Sequence, residues 1–218
     1  MASQDRQLPR AGTIFDLGAG TGITSAYLKH RAPARKLVLY DIEAPRLEIA
    51  RERFEKLGAS WPEAPELATV FRSGRLQSQE VAANSADGMI AAFLFLYLDE
   101  AEKEKVLRWC FRALRPGGSL LVHDFSPPYG DPYDYQVKQL VSTIERGRIR
   151  YAERDLVARY GIFAGLVDLG AADKWAQQYH ATSLQPFAAM AEQAGFVVDE
   201  NESAAHYDYL IALLKKPL

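Results

Sequence analysis

The chain contains one cysteine, Cys110, among its 218 residues. A single thiol excludes an internal disulfide and any metal site built from several cysteines, and no other pattern predicts a metal ion. No apolar run approaches the ~18–20 residues that span a bilayer. The polar start, MASQDRQLPR, lacks the apolar region of a secretory signal peptide. These absences predict a cytoplasmic protein with no membrane partner.

The charge balance lacks the basic surplus that nucleic-acid binders carry. Lys and Arg number 26 against 28 Asp and Glu, which gives a net charge of −2 at pH 7. We therefore expect no nucleic-acid partner. Hydrophobic residues make up 48% of the chain and charged residues 25%, which is enough apolar material for a sizeable core. The length fits a single domain, residues 1–218, and we expect a monomer or a homodimer.

Short apolar runs alternate with helical segments through the first 124 residues. Runs of this kind, followed by turns and amphipathic helices, are typical of βα units in a parallel sheet covered on both faces. The sequence therefore predicts an α/β, Rossmann-like three-layer sandwich. The predicted strands are 13–17, 36–41, 69–71, 88–95 and 119–124, and the intervening helices are 24–30, 43–57 and 100–114.

The alternation stops after the fifth predicted strand. Residues 125–182, a stretch of 58, contain helical segments but no clear strand. The pattern then resumes with a helix at 184–194 and two strands at 196–198 and 209–214. We interpret 125–182 as a helical substrate lid inserted within the domain.

A glycine-rich turn follows the first predicted strand. The segment DLGAGTG, residues 16–22, places three glycines where a backbone must turn tightly and approach a ligand closely. Asp41 ends the next strand, at the spacing of a carboxylate that binds ribose hydroxyls. Ile23 replaces the third glycine of the dinucleotide fingerprint, and no phosphate-binding Gly-Lys-Ser/Thr is present. An acid at the head of the loop suits an ammonium, so we predict a nucleoside ligand with an amino-acid tail.

These motifs resemble class I S-adenosylmethionine-dependent methyltransferases, and the nearest resemblance is to the small-molecule enzymes of ubiquinone and menaquinone biosynthesis. DLGAGTG is similar to the family's first motif, and residues 114–118 (LRPGG) to its entry into strand five. The resemblance implies a seven-stranded, mostly parallel sheet whose last strand is antiparallel. It also implies the cofactor S-adenosyl-L-methionine, held by Asp16, Gly18, Ala19, Gly20, Gly22, Asp41, Ile42, Gly74, Arg75, Ala92, Phe93 and Leu94.

The chain departs from the family after strand three. Where the family often has Gly-Asp-Ala, with the Asp binding the adenine amino group, this chain has Gly74-Arg75-Leu76. An arginine side chain cannot accept a hydrogen bond. Either a backbone carbonyl accepts from the amino group, or another residue takes the place of the missing acid.

Candidates for substrate chemistry follow from position in the sheet and from the composition of the insert. Strand ends face the ligand cleft in such sheets, so His123 and Asp124 are candidate bases, with His180 the second-ranked histidine. Small-molecule pockets have aromatic walls, and a small-molecule substrate is expected to contact the insert. Its candidate substrate-binding residues are Tyr129, Tyr133, Tyr160, Trp175 and Tyr179.

The acceptor atom stays open as oxygen, nitrogen or carbon. Three alternatives to small-molecule methyl transfer also stay open. One is an RNA or protein methyltransferase, which needs a Lys/Arg-rich groove. Another is a protein of the same fold that binds the cofactor without transferring its methyl group, in a pericyclase-like or accessory role. The last, an NAD-dependent oxidoreductase, is disfavoured by the spacing of the glycines.

Overall fold

The computed structural model describes residues 5–60, 69–125, 180, 182–206 and 209–218. Eight strands and four α-helices lie in these ranges. The strands are β1 Gly12–Leu17, β2 Arg35–Asp41, β3 Thr69–Ser73, β4 Ala86–Ala92, β5 Leu114–Phe125, β6 Val197–Val198, β7 Ala204–His206 and β8 Tyr209–Lys215. The helices are α1 Ile23–Arg31, α2 Ala44–Ser60, α3 Glu100–Ala113 and α4 Leu184–Gln193. Short 3-10 helices cover Asp5–Gln7, Leu76–Ser78 and Phe95–Tyr97.

The sheet order is β3-β2-β1-β4-β5-β8-β6, and β7 also pairs with β8. Strands β1 to β5 are parallel to one another, whereas β8 runs antiparallel to β5. The predicted mostly parallel sheet with an antiparallel last strand is therefore confirmed. Two short strands, β6 and β7, pair with opposite ends of β8 and together occupy the outer position predicted for one strand.

Successive strand residues belong alternately to two apolar clusters, one on each face of the sheet. Phe15 and Met89 belong to the cluster that includes apolar residues of α3 and α4. Their chain neighbours Ile14 and Ile90 belong to the cluster that includes apolar residues of α1 and α2. Since successive strand side chains point to opposite faces, this alternation produces the predicted three layers.

Strands β4 and β5 differ from their predicted bounds. The apolar run 88–95 predicts a strand through Phe95, but β4 ends at Ala92 because Phe93 adopts a left-handed φ of 57°. We expected residues 115–118 to break the chain before strand five, yet β5 already begins at Leu114. Its register with β4 shifts beside that segment, where the backbone N–H of Gly117 donates to the carbonyl of Lys216.

Asp124, just before the predicted insert, and His180, near its end, both bond to Leu96 in the connection between β4 and α3. The Leu96 N–H donates to the Asp124 carboxylate at 2.9 Å, and the Leu96 carbonyl accepts from the His180 N–H at 2.6 Å. Residues 126–179 lie outside the described residues, and so do all five substrate candidates: Tyr129, Tyr133, Tyr160, Trp175 and Tyr179. Among the helices of the described ranges, none has the length and apolarity needed to cross a bilayer.

Candidate active site

A cavity of about 460 Å³ opens at the carboxyl ends of the parallel strands. Strand β1 lies between β2 and β4, so the chain crosses over here, and ligands of open α/β sheets bind at such switch points. The walls come from the turns after β1, β2, β3 and β4 and from the start of α3. The lining residues are Gly18, Tyr40, Asp41, Ile42, Glu43, Arg46, Gly74, Arg75, Leu76, Gln77, Phe93, Leu94, Tyr97, Leu98, Glu102 and Val106.

The glycine turn is shaped by three left-handed residues. Gly18, Gly20 and Gly22 have φ values of 68°, 53° and 72°, a region that side chains with a Cβ disfavour. A Cβ on Gly18 would lie 3.1 Å from the Leu94 side chain, whereas one on Gly20 would meet nothing within 4 Å. Gly22 caps the start of α1, where a Cβ would lie 2.9 Å from that of Ala50. The turn thus packs tightly at both ends and leaves open space at Gly20.

Asp41 is held between two backbone donors at the cavity wall. One carboxylate oxygen accepts from the Gly20 N–H at 2.7 Å, and the other from the Glu43 N–H at 2.8 Å. A carboxylate offers about four acceptor positions, so two stay available for ligand donors. The neighbouring Ile42 is 61% exposed, which presents an apolar surface beside the charged group.

Asp16 lies beneath the glycine turn and is not among the residues lining the cavity. Its side chain is 1% exposed and accepts a hydrogen bond from the Ser25 hydroxyl on α1 at 2.5 Å. Burial raises the pKa of Asp16 to about 6; the negative charge of Asp41 adds to the rise and the Ser25 bond opposes it. The carboxyl group therefore joins β1 to α1 from the protein side of the turn.

The structure gathers seven of the twelve predicted cofactor residues around the cavity: Gly18, Asp41, Ile42, Gly74, Arg75, Phe93 and Leu94. The other five, Asp16, Ala19, Gly20, Gly22 and Ala92, lie in the supporting turn or strand and not on the wall. Sequence reasoning missed the contribution of α3. Glu102 and Val106 are four residues apart on that helix, and both line the cavity. The signal was available, since a helix that follows β4 begins at the same edge of the sheet.

Arg75 points toward α3. Its guanidinium lies 2.7 Å from the Glu102 carboxylate, and both residues line the cavity. The turn that carries Arg75 is tied to β2, because the Gly74 N–H donates to the Asp41 carbonyl at 3.0 Å. The position that departs from the family pattern therefore brings a carboxylate to the cavity from another element.

None of the three candidate bases is among the residues that line the cavity. His123 on β5 has its ring 5.0 Å from that of Phe93, which does line the cavity, and burial lowers the pKa of His123. Asp124 is 2% exposed, and its carboxylate accepts from Leu96. The His180 side chain is exposed, whereas its carbonyl accepts from the ammonium of the buried Lys103. Of the three, His123 contacts the cavity wall through an aromatic ring.

Within the described ranges, no group of three or more His, Cys, Asp or Glu side chains could hold a metal ion. Cys110 is buried in α3, where burial raises the pKa of its thiol. It belongs to the same apolar cluster as Val106 and Leu107, as a small core residue would.

Comparison with known proteins gives one consistent result. Residues 14–118 match the family model described as a methyltransferase domain. A demethylmenaquinone methyltransferase of Thermus thermophilus is 36% identical over 117 residues, which cover 53% of this chain and 48% of that protein. The ubiquinone/menaquinone biosynthesis C-methyltransferase UbiE of Salmonella arizonae is 31% identical over 125 residues, covering 56% and 46%. The chain thus spans about half the length of the curated relatives it matches.

Solved structures share the fold at low sequence identity. Phosphoethanolamine N-methyltransferase 2 of Haemonchus contortus, solved with S-adenosyl-L-methionine, aligns with a TM-score of 0.65 at 15% identity, covering 100% of this chain and 52% of that one. An S-adenosylmethionine-dependent methyltransferase of Mesorhizobium loti aligns with a TM-score of 0.63 at 16% identity, covering 99% and 96%. The matched family model, the relatives and these structures agree: residues 14–118 are similar to a methyltransferase domain, and the fold is that of S-adenosylmethionine-dependent methyltransferases.

Proposed function

We propose that the protein transfers a methyl group from S-adenosyl-L-methionine to an oxygen, nitrogen or carbon atom of a small molecule. The observation that carries the proposal is the pairing of the glycine turn with Asp41 at the switch point of the sheet. Gly20 donates its N–H to Asp41, so the turn and the acid form one unit on the cavity wall. The matched family model and the similar methyltransferases support the same activity.

The residues present fit this cofactor. Asp41 keeps two acceptor positions, which suit the two hydroxyls of a ribose. Ile42 supplies an exposed apolar surface for one face of an adenine. Gly18 lies against Leu94 with no room for a Cβ, which brings the backbone of the turn close to the cavity. These groups would hold the nucleoside part.

The bound cofactor supplies a methyl group attached to a positively charged sulfur. The protein must align an acceptor with that group and keep water away. Phe93 and Leu94 line the cavity with apolar side chains, which disfavour water, and an aromatic ring favours a nearby cation. His123, neutral because burial lowers its pKa, is the base we propose for acceptors that must lose a proton.

We propose that residues 125–182 select the substrate. Asp124, just before this segment, and His180, near its end, both bond to Leu96, which lies in the chain between the cavity-lining residues Leu94 and Tyr97. The insert therefore leaves and rejoins the domain beside the cavity. Its tyrosines and Trp175 supply aromatic surface of the type that binds small molecules.

Calorimetry with S-adenosylhomocysteine, S-adenosylmethionine and NAD tests the cofactor assignment. We expect the first two to bind and NAD to give no heat of binding. Asp41→Ala should weaken binding by about 10-fold or more, because charge-assisted hydrogen bonds to the ribose are lost. Asp87→Ala is the matched control, since Asp87 also accepts a backbone N–H, from Thr13 at 2.7 Å, but at the amino end of β1. Binding of NAD alone, or an unchanged affinity in Asp41→Ala, would refute the proposal.

A further inference from the structure

A salt bridge closes one side of the cavity. Arg75, in the turn after β3, and Glu102, in the first turn of α3, approach to 2.7 Å between Nη1 and Oε1. The two side chains differ in exposure, at 61% for Arg75 and 26% for Glu102. The arginine is therefore the outer member of the pair and the carboxylate the inner one.

The backbone of Glu102 is held in place by the N-terminal cap of α3. Asp99 caps α3, and its Oδ1 accepts from the Glu102 N–H at 2.7 Å. The first turn of a helix favours a negative charge, so the ionised form of Glu102 is stabilised there. Val106, one turn further along the helix, lines the same cavity. Glu102 thus presents a charged acceptor beside an apolar wall.

Arg75 is fixed from the other side. Gly74 has a φ of 122°, and a Cβ there would lie 2.7 Å from Nε2 of Gln79, so the turn needs glycine. The Arg75 carbonyl accepts from the Ser78 N–H at 3.0 Å. The turn is also bonded to the backbone of Asp41 through Gly74. The backbone of Arg75 is therefore held in place. Its guanidinium donates to Oε1 of Glu102, so Oε2 keeps acceptor capacity.

We infer that Glu102 accepts a hydrogen bond from the amino group of the cofactor's adenine and that Arg75 is its positioning residue. The inference rests on the proposed function and names the group that distinguishes adenine from other purines. The cavity offers the matching chemistry: the apolar side chains of Leu76, Leu98 and Val106 for the faces of a ring, and the Glu102 carboxylate, beside Val106 on the same helix, for a donor at its edge. A purine with a 6-oxo group would instead direct an acceptor at that carboxylate, so two acceptors would face each other without a donor between them.

The test compares S-adenosylhomocysteine with S-inosylhomocysteine, which carries oxygen in place of the amino group. Calorimetry on the wild-type protein should show the adenosyl compound binding at least about 10-fold more tightly. In Glu102→Gln the amide can donate to the 6-oxo group, so the preference should fall to about 3-fold or less or should reverse. Glu104→Gln is the matched control: it removes the same charge from α3 at an exposed pair with Arg108, and the wild-type preference should persist.

Arg75 is tested by rescue. Arg75→Ala should reduce the preference for the adenosyl compound, and Arg75→Lys should restore part of it because a cation again faces Glu102. An unchanged preference in Glu102→Gln would overturn the inference while leaving the proposed function intact. A wild-type protein that binds neither compound would instead refute the proposed function.

Discussion

The carboxyl group of Asp16 is buried, and burial disfavours its ionised form. In the folded protein burial raises its pKa to about 6 from 3.8, and the Ser25 hydroxyl offsets part of that rise. A group whose folded pKa is raised contributes most to stability below its unfolded pKa. That contribution is lost as the pH rises through the folded pKa. Keeping Asp16 ionised at pH 7 therefore costs about 3 kcal/mol.

Asp16→Asn should remove this cost while keeping an oxygen that accepts from Ser25. We expect the variant to be more stable than the wild type by about 1–2 kcal/mol at pH 8, since the new amide is itself buried with an added donor. The difference should shrink as the pH falls below 6 and disappear near pH 4. Urea unfolding across this range measures it, and Asp87→Asn serves as the control. A constant difference at all pH values would contradict the assignment.

The pKa of His123 is shifted in the opposite direction from that of Asp16. Burial lowers the pKa of His123, so the neutral imidazole is favoured in the folded protein and protonation below pH 6.5 destabilises the fold. As the proposed base, it also predicts a kinetic effect. His123→Ala should slow turnover of a substrate that must lose a proton, with the affinity for S-adenosylhomocysteine unchanged. Full activity in the variant, measured by release of that product, would exclude His123 as the base.

At the scale of elements, the turn between β1 and α1 packs tightly around Gly22 and loosely around Gly20. Gly22 places its Cα against α2, where a Cβ would lie 2.9 Å from the Cβ of Ala50. Gly20 has the same left-handed backbone but open space around it. The two positions therefore separate the conformational cost of a side chain from its steric cost.

Gly22→Ala should destabilise the fold by about 2–4 kcal/mol, from a left-handed Ala plus overpacking between α1 and α2. Gly20→Ala should cost about 1 kcal/mol, the conformational part alone. Urea unfolding midpoints of the two variants measure both values. Equal losses would show that the contact with Ala50 is relieved by movement of α2.

The order of elements could be predicted because apolar runs and glycine turns are local signals. The end of β4 could not, since the run continues to Phe95 and nothing in its composition marks the left-handed Phe93. The segment at 115–118 has the composition of a break, yet Gly117 and Gly118 bond to Lys216, a partner about 100 residues away in the chain. Such pairings depend on tertiary placement.

The same distinction applies to the candidate site. The placement of Asp41 and Gly18 at the cavity could be predicted, because Asp41 ends a strand and Gly18 follows one in a recognisable motif. The approach of α3 to the cavity could also have been predicted, since the helix begins at the same edge of the sheet. The salt bridge of Glu102 with Arg75 could not, because it depends on how α3 sits over the strand ends. The departure at Arg75 marked where a replacement acceptor was needed without indicating which residue provides it.

At the scale of the whole molecule, the cavity joins elements from both faces of the sheet. Its lining includes Ile42, just before α2, and Val106 on α3. Val106 belongs to one apolar cluster, whereas Leu47 and Phe54 of α2 belong to the other. A ligand that touches both sides adds its binding energy to the stability of the entire fold, because unfolding either side releases it.

Thermal unfolding measures this coupling. S-adenosylhomocysteine at 100 times its dissociation constant should stabilise the protein by about 2.7 kcal/mol, which for this size raises the Tm by about 5–10 °C. At the same ligand concentration, a 10-fold loss of affinity in Asp41→Ala should reduce the stabilisation to about 1.4 kcal/mol, half the shift. NAD should leave the Tm unchanged. Asp41→Ala also removes acceptors of the Gly20 and Glu43 N–H groups, so each protein is compared with its own ligand-free Tm. Equal shifts in both proteins would mean that Asp41 does not hold the ligand.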